Sequence, residues 1–142
     1  MAVAYKVREA GAEDLPGIVA LLAPVEGDQE RLRAGQFVVA VEDDGGGIIG
    51  CGRLKPYRGF VELASIAIAE EWRGQGVGRA IVSQLLAGHK GRVYLMCEDN
   101  RLDFFGQFEF VALRENQMPA GLRPKWQHYD GQVGHLNLMR RE

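Results

Sequence analysis

The feature that most constrains this 142-residue chain is a glycine loop, Arg73-Gly74-Gln75-Gly76-Val77-Gly78-Arg79, set between an apolar run and a helical stripe. Alternating glycines let the backbone adopt conformations closed to other residues and let a ligand approach the main chain. The first N–H groups of the helix that follows have no partner within it. They lie at the positive end of its dipole, a place that binds phosphate or pyrophosphate. Three alternating glycines flanked by two arginines exceed what a plain connector requires.

Two nucleotide motifs fail against this loop. A Walker loop needs Gly-x-x-x-x-Gly-Lys-Ser/Thr, and that string is absent. A dinucleotide fingerprint needs Gly-x-Gly-x-x-Gly opening a parallel sheet, with an acidic residue about twenty positions on. Here the spacing is Gly-x-Gly-x-Gly, and the loop follows the fourth strand of a meander. A nucleotide-binding regulatory domain therefore rests on the glycines alone.

Residues 3–8 alternate like a short strand, and Leu15, Ile18, Val19 and Leu22 mark one helical face that Pro24 stops. Residues 28–34 predict a short charged helix. QFVVAVE, the Asp-Asp-Gly-Gly-Gly turn and IIGCGRL predict a hairpin, and KPYRG a further turn. Phe60–Ala69 is apolar on both faces apart from Glu62 and Ser65, as in a covered central strand. Val77, Ile81, Val82, Leu85 and Leu86 form the stripe of a helix ended by Gly88 or Gly91. Val93–Cys97 reads as a buried strand and LDFFGQF as a short helix. EFVALRE and VGHLNLMR read as terminal strands around an irregular stretch from Gln117 to Gln132. The order implies one α/β (α+β) domain over residues 1–142, with helices packed on both faces of a mixed, mostly antiparallel sheet.

Composition removes whole classes of function. Seventeen basic against nineteen acidic residues leave a formal charge of −2, without the basic excess of a nucleic-acid binder. No apolar run reaches membrane-spanning length, and the first residues mix charges where a signal peptide is apolar. Cys51 and Cys97 are too few for a disulfide framework and lack zinc-ligand spacing, so they read as small buried hydrophobes and no metal site is expected. A reducing cytoplasm is the expected home.

Arg73-Gly-Gln-Gly76-Val-Gly78 resembles the acyl-CoA signature Gln/Arg-x-x-Gly-x-Gly/Ala of the GNAT superfamily of N-acetyltransferases. Glu62-Leu-Ala-Ser-Ile-Ala-Ile68 is similar to that family's fourth strand. Phe104-Phe-Gly-Gln-Phe-Glu-Phe110 resembles its Phe-Tyr-x-x-x-Gly-Phe segment. The resemblance implies a sheet of six or seven strands whose fourth and fifth members splay near a bulge and admit the pantetheine arm. It further implies that backbone groups at Ile66, Ala67 and Ile68 bond the pantetheine amides. N–H groups of Gly74, Gln75, Gly76, Val77, Gly78 and Arg79 would hold the pyrophosphate of acetyl-CoA, the co-substrate. Arg73 and Arg79 either add charge against the phosphates or are solvated.

The implied reaction moves an acetyl group to a primary amine of a small molecule by direct attack, without an acyl-enzyme. Glu62 matches the glutamate that serves some members as general base, and partial burial would raise its pKa toward a useful range. The alternative is a strand-end glutamate paired with Arg53, Lys55 or Arg58. Phe105 stands where the family's frequent general acid, a tyrosine, is expected, which leaves another group (Tyr94, Cys97 or Tyr129), water or no acid at all. It also leaves open a non-catalytic acyl-CoA-binding or regulatory module. Glu109 replaces the usual glycine before Phe110, and Asn100 is displaced from the family's asparagine position. A weaker resemblance, carried by the paired phenylalanines and Pro119, is to the acetyltransferase domain of N-acetylglutamate synthases. It implies an amino-acid acceptor, for which Arg31, Arg33, Arg123, Lys125, Trp126 and His128 are candidate contacts or an ordinary solvated rim. The implied partners are this small-molecule amine, no nucleic acid and no membrane, for a monomer or homodimer.

Overall fold

A computed structural model describes residues 4–25, 28–132 and 134–142. Val3 and Val133, at the ends of two expected strands, lie outside the described residues. Seven strands form a mixed sheet: β1 (Tyr5–Glu9), β2 (Phe37–Glu42), β3 (Ile48–Tyr57), β4 (Phe60–Ile68), β5 (Val93–Cys97), β6 (Val111–Leu113) and β7 (Asn137–Arg141). Their order in the sheet is β1-β2-β3-β4-β5-β7-β6. The β4–β5 pair is parallel, whereas β1–β2, β2–β3, β5–β7 and β6–β7 are antiparallel. Among the described residues four α-helices accompany it: α1 (Leu15–Leu22), α2 (Val77–Ala87), α3 (Leu102–Gly106) and α4 (Arg123–Tyr129). The described chain forms two compact units, one reaching to Leu54 and including Ala64–Lys90, the other Lys55–Leu63 with Gly91–Glu142.

In the first unit the two faces of β3 carry different helices. Cys51 lies in a buried cluster with Ile18 and Leu22 of α1 and with Phe37, Val39 and Ala67. Gly50 and Gly52, which alternate with it, face α2. A Cβ at Gly50 would stand 2.9 Å from the Ile81 side chain, and one at Gly52 3.0 Å from it. Strand alternation thus assigns α1 and α2 to opposite faces, and the two glycines let α2 settle onto the sheet. All five residues of the expected α2 stripe are buried, and Gly88 ends the helix. At the start of α1, Arg8 donates to both carboxylate oxygens of Asp14 at 2.7 and 3.0 Å, while the Gly11 N–H donates to Asp14 Oδ2. Hydrogen bonding from Arg8 holds the Asp14 carboxyl below its ordinary value, against the effect of burial.

Several expectations need correction. Val19 is 48% exposed, because so short a helix as α1 buries only Ile18 and Leu22 fully. Residues 28–34 form no charged helix. Their carbonyls are spent sideways: those of Glu30 and Arg31 accept from Arg53, and that of Asp28 accepts from the Ser65 hydroxyl. The KPYRG turn is shorter than expected, since β3 continues through exposed Pro56 to Tyr57 and only Arg58–Gly59 turns. Gly59 has a φ of 86°.

In the second unit a cluster of Tyr94, Met118, Leu122 and Leu138 is packed by Tyr57, Phe60, Met96, Leu113 and Trp126. The stretch from Gln117 to Gln132, expected to be irregular, contains α4 with Pro124 in its first turn. Its Trp126 indole N–H donates to the Leu136 carbonyl at 3.0 Å.

Candidate active site

In the first unit, the run from β4 to α2 carries the expected binding residues. Ser65 breaks the β4 backbone with a φ of 56°, a left-handed residue inside a strand. Its hydroxyl accepts from Arg53 Nε at 3.0 Å and donates to the Asp28 carbonyl at 2.7 Å. Arg53 is fully buried and forms an ion pair with Asp28 Oδ2 at 3.1 Å. It also bonds Gln36 Oε1 and the two carbonyls already named. The Arg53–Asp28 pair leaves no mark in the sequence, since 25 positions separate the two residues.

Gly74 and Gly76 have φ values of 78° and 83°, in the left-handed region glycine favours, and Gly76 caps α2. No atom lies within 4 Å of where a Cβ would stand at either position. The backbone is therefore open on that side. The first internal bond of α2 runs from the Ala80 N–H to the Gly76 carbonyl, which leaves the preceding N–H groups for another partner. This open, donor-rich turn fits a pyrophosphate. Gln75 and Arg73 are drawn back onto the protein: Gln75 Nε2 donates to the Glu71 carbonyl and Arg73 Nε to that of Ile68. Arg79 is exposed and Val77 is buried against the core, so Val77 contributes only main chain. Ile66 and Ile68 are half-buried and Ala67 is buried in β4.

In the second unit Glu62 and Tyr94 are register partners of the parallel β4–β5 pair, which sets their side chains on one face. Glu62 is 2% exposed, and both its oxygens are engaged. Tyr57 donates its hydroxyl to Oε1 at 2.9 Å, and Lys125 of α4 places Nζ 2.7 Å from Oε2. Of the partners expected for Glu62, Arg53 holds Asp28 instead, and the Lys55 ammonium stands over the Tyr57 ring, 5.8 Å from its centroid. Tyr57 and Lys125 are the residues the sequence reading missed as partners of Glu62. A hairpin turning on Arg58–Gly59 signals the first, by bringing Tyr57 close to β4. The ring of Tyr57 stacks on Phe60 at 4.8 Å.

Phe105 is buried, edge-on to Phe104 and Phe110, and has no proton to give. Glu109 adopts a φ of 70°, the left-handed conformation that glycine supplies more cheaply, so the turn before Phe110 carries a cost in strain. Tyr94 is buried in the aromatic and aliphatic cluster. Burial pushes the Cys97 thiol up to about 11 and the Cys51 thiol up to about 12, so both stay protonated. Arg123 pairs with Glu115 at 3.2 Å, His128 and Arg33 are exposed, and the carbonyl of Arg31 is spent on Arg53. Among the described residues, no group of three His, Cys, Asp or Glu side chains is placed to hold a metal ion, and no helix is long and apolar enough to cross a membrane.

A family model described as Acetyltransferase (GNAT) domain matches residues 33–112, more than half of the chain, spanning β2 to β6 with the glycine loop inside it. The chain belongs to the GNAT acetyltransferase family. GNAT members are acyltransferases that take acetyl-CoA as co-substrate, and the mixed seven-stranded sheet with its four helices is the fold of this family. N-acetylglutamate synthase from Neisseria gonorrhoeae, complexed with coenzyme A and N-acetyl-glutamate, is similar at a TM-score of 0.78 and 20% identity. The match covers 99% of this chain and 35% of that one, so the chain spans about a third of the synthase. Rv2747 from Mycobacterium tuberculosis, whose structure contains CoA, is similar at 0.74 and 23% identity over 95% of this chain and 97% of that one. Ard1 from Thermoplasma volcanium matches at 0.71 and 18%, over 98% and 97% of the two chains.

Proposed function

We propose that this chain, as one domain over residues 1–142, is an acetyl-CoA-dependent N-acetyltransferase acting on a primary amine of a small molecule, with an amino acid as the favoured class. The observation that carries the reading is the open glycine turn at the start of α2, within a chain of the GNAT family. Main-chain N–H groups from Gly74 to Arg79 hold the diphosphate, and β4 main chain from Ile66 to Ile68 aligns the pantetheine. Arg73 and Arg79 add positive charge nearby. The complex of the Neisseria synthase with N-acetyl-glutamate supports an amino acid as acceptor.

Glu62 is the general base. An aliphatic ammonium, with an ordinary pKa of about 10.4, must lose a proton before it can attack. The incoming ammonium takes the place of Lys125 on Oε2 and gives its proton to the carboxylate. Tyr57 meanwhile keeps Oε1 in position from the other side. The neutral nitrogen attacks the acetyl carbonyl, the C–S bond breaks without an acyl-enzyme being formed, and the second proton lost from the nitrogen passes to the departing CoA thiolate.

Thermal denaturation with acetyl-CoA, CoA, NAD and ATP is expected to show stabilisation by the CoA species alone. A response confined to NAD or ATP overturns the assignment. Glu62→Gln is expected to keep that stabilisation while acetyl transfer, followed as thiol release over a panel of amines, falls about a hundredfold. Unchanged transfer removes Glu62 from the mechanism. The buried phenyl ring at Phe105 favours a second reading, an acyl-CoA-binding module without turnover. Coenzyme binding with no thiol release from any amine would establish it.

A further inference from the structure

Lys125 stands in the relation to Glu62 that an acceptor amine must take. Its Nζ lies 2.7 Å from Oε2, the separation at which a general base receives a proton. The carboxylate is 2% exposed and the lysine side chain 17%, so the amine is largely withdrawn from bulk water yet carried on a long, adjustable stem. Tyr57 holds the other oxygen at 2.9 Å, which leaves Oε2 aimed at the lysine. We infer that Lys125 is itself an acetyl acceptor, so that the protein acetylates its own α4 when no external amine is present. This rests on the acetyltransferase reading and on Glu62 as its base.

The step balances as follows. Lys125 gives one ammonium proton to Glu62, which passes it on to water. The freed lone pair forms a C–N bond to the acetyl carbonyl carbon, the C–S bond breaks, and the electron pair leaves on the CoA sulfur. The second proton lost from the nitrogen ends on that thiolate, giving acetyl-Lys125, free CoA thiol and one released proton. The amide formed carries no charge, so the ion pair with Glu62 is lost. A buried carboxylate deprived of its cation is costly, which favours withdrawal of the modified side chain from Oε2 and vacates that oxygen for an external ammonium.

The test is incubation of the purified chain with acetyl-CoA and no amine, followed by intact mass and peptide mapping. One acetyl group per chain is expected on Lys125, about a hundredfold faster than on the exposed Lys6 and Lys90, at a rate per chain independent of protein concentration. Lys125→Arg, which keeps the cation but removes the acylatable amine, is expected to abolish the product. Glu62→Gln is expected to slow labelling at Lys125 about a hundredfold and leave Lys6 and Lys90 unchanged. Labelling of Lys125 no faster than of Lys6 overturns the inference, as does labelling unaffected by Glu62→Gln or a rate that rises with protein concentration. If external amines are acetylated while Lys125 stays unmodified, the inference falls and the acetyltransferase reading stands. If no CoA species stabilises the chain, both fall.

Discussion

Replacing Arg53 by methionine removes the cation from a buried, multiply bonded site in the first unit. Arg53 is 0% exposed and Asp28 5%. The guanidinium reaches Asp28 at 3.1 Å, Ser65 Oγ at 3.0 Å, the carbonyls of Glu30 and Arg31 at 2.9 and 3.0 Å, and Gln36 Oε1 at 3.1 Å. Methionine matches the stem in volume but donates nothing, so the Asp28 carboxylate loses its cation where water cannot replace it. Breaking a buried pair from one side costs about 3–5 kcal/mol. Total stabilities run at about 5–15 kcal/mol, so this is a large share. With a urea dependence of about 2 kcal/mol per molar, the unfolding midpoint should fall by about 2 M. Equilibrium denaturation of the parent, Arg53→Met, Asp28→Asn and the double variant would measure it. The double variant should lose less than the sum of the two single losses, because each residue is costly mainly when stranded without the other. A loss below about 1 kcal/mol in Arg53→Met, or strict additivity, refutes the claim that this pair anchors residues 28–36 to β3.

The remaining predictions concern single positions. Gly76→Val forces a branched residue to a φ of 83° with no atom to clash against, so stability should fall by about 1–2 kcal/mol and acetyl-CoA affinity by about tenfold or more. Calorimetric titration of the folded variant checks this, and unchanged affinity counts against the cradle. Glu109→Gly relieves a φ of 70° and should raise stability by about 1 kcal/mol, read from the denaturant midpoint; a lower midpoint refutes the strain argument. Asp14→Asn keeps the hydrogen bond to the Gly11 N–H but loses the ion pair with half-exposed Arg8. The folded Asp14 carboxyl sits below its unfolded value, so the pair stabilises above about pH 4 and its contribution is lost as pH falls through the folded pKa. The variant should be less stable than the parent by under about 1 kcal/mol at neutral pH and equal to it in acid, which thermal melts across that range would show.

Legibility in the sequence followed the range of the interactions. The α2 stripe and the strand Val93–Cys97 were readable because burial repeats at helical or strand spacing within a dozen residues. The glycine loop was readable because positive φ leaves a signature in residue type. Helix α4 was missed because only Trp126 and the preceding Leu122 turn to the cluster, leaving Pro124 as its sole mark. The charged helix expected over 28–34 failed for the opposite reason, since local composition favoured it and carbonyl bonds to Arg53 and Ser65 overrode it. Arg31, Arg123 and Lys125 read alike as cations in a list. Their surroundings separate them, and neighbours in space are not encoded by residue type.

By itself the sequence determined that a strand, a glycine turn and an amphipathic helix follow one another in this chain, and with them the family and its coenzyme. Those properties depend on backbone freedom and hydrophobic period, which neighbouring residues carry. Only the tertiary structure decided that Glu62 is wholly buried between Tyr57 and Lys125, and that Arg53 belongs to Asp28. Sixty-three positions separate Glu62 from Lys125. Which cation meets a buried carboxylate depends on where the folded backbone carries it, and no local pattern records that distance.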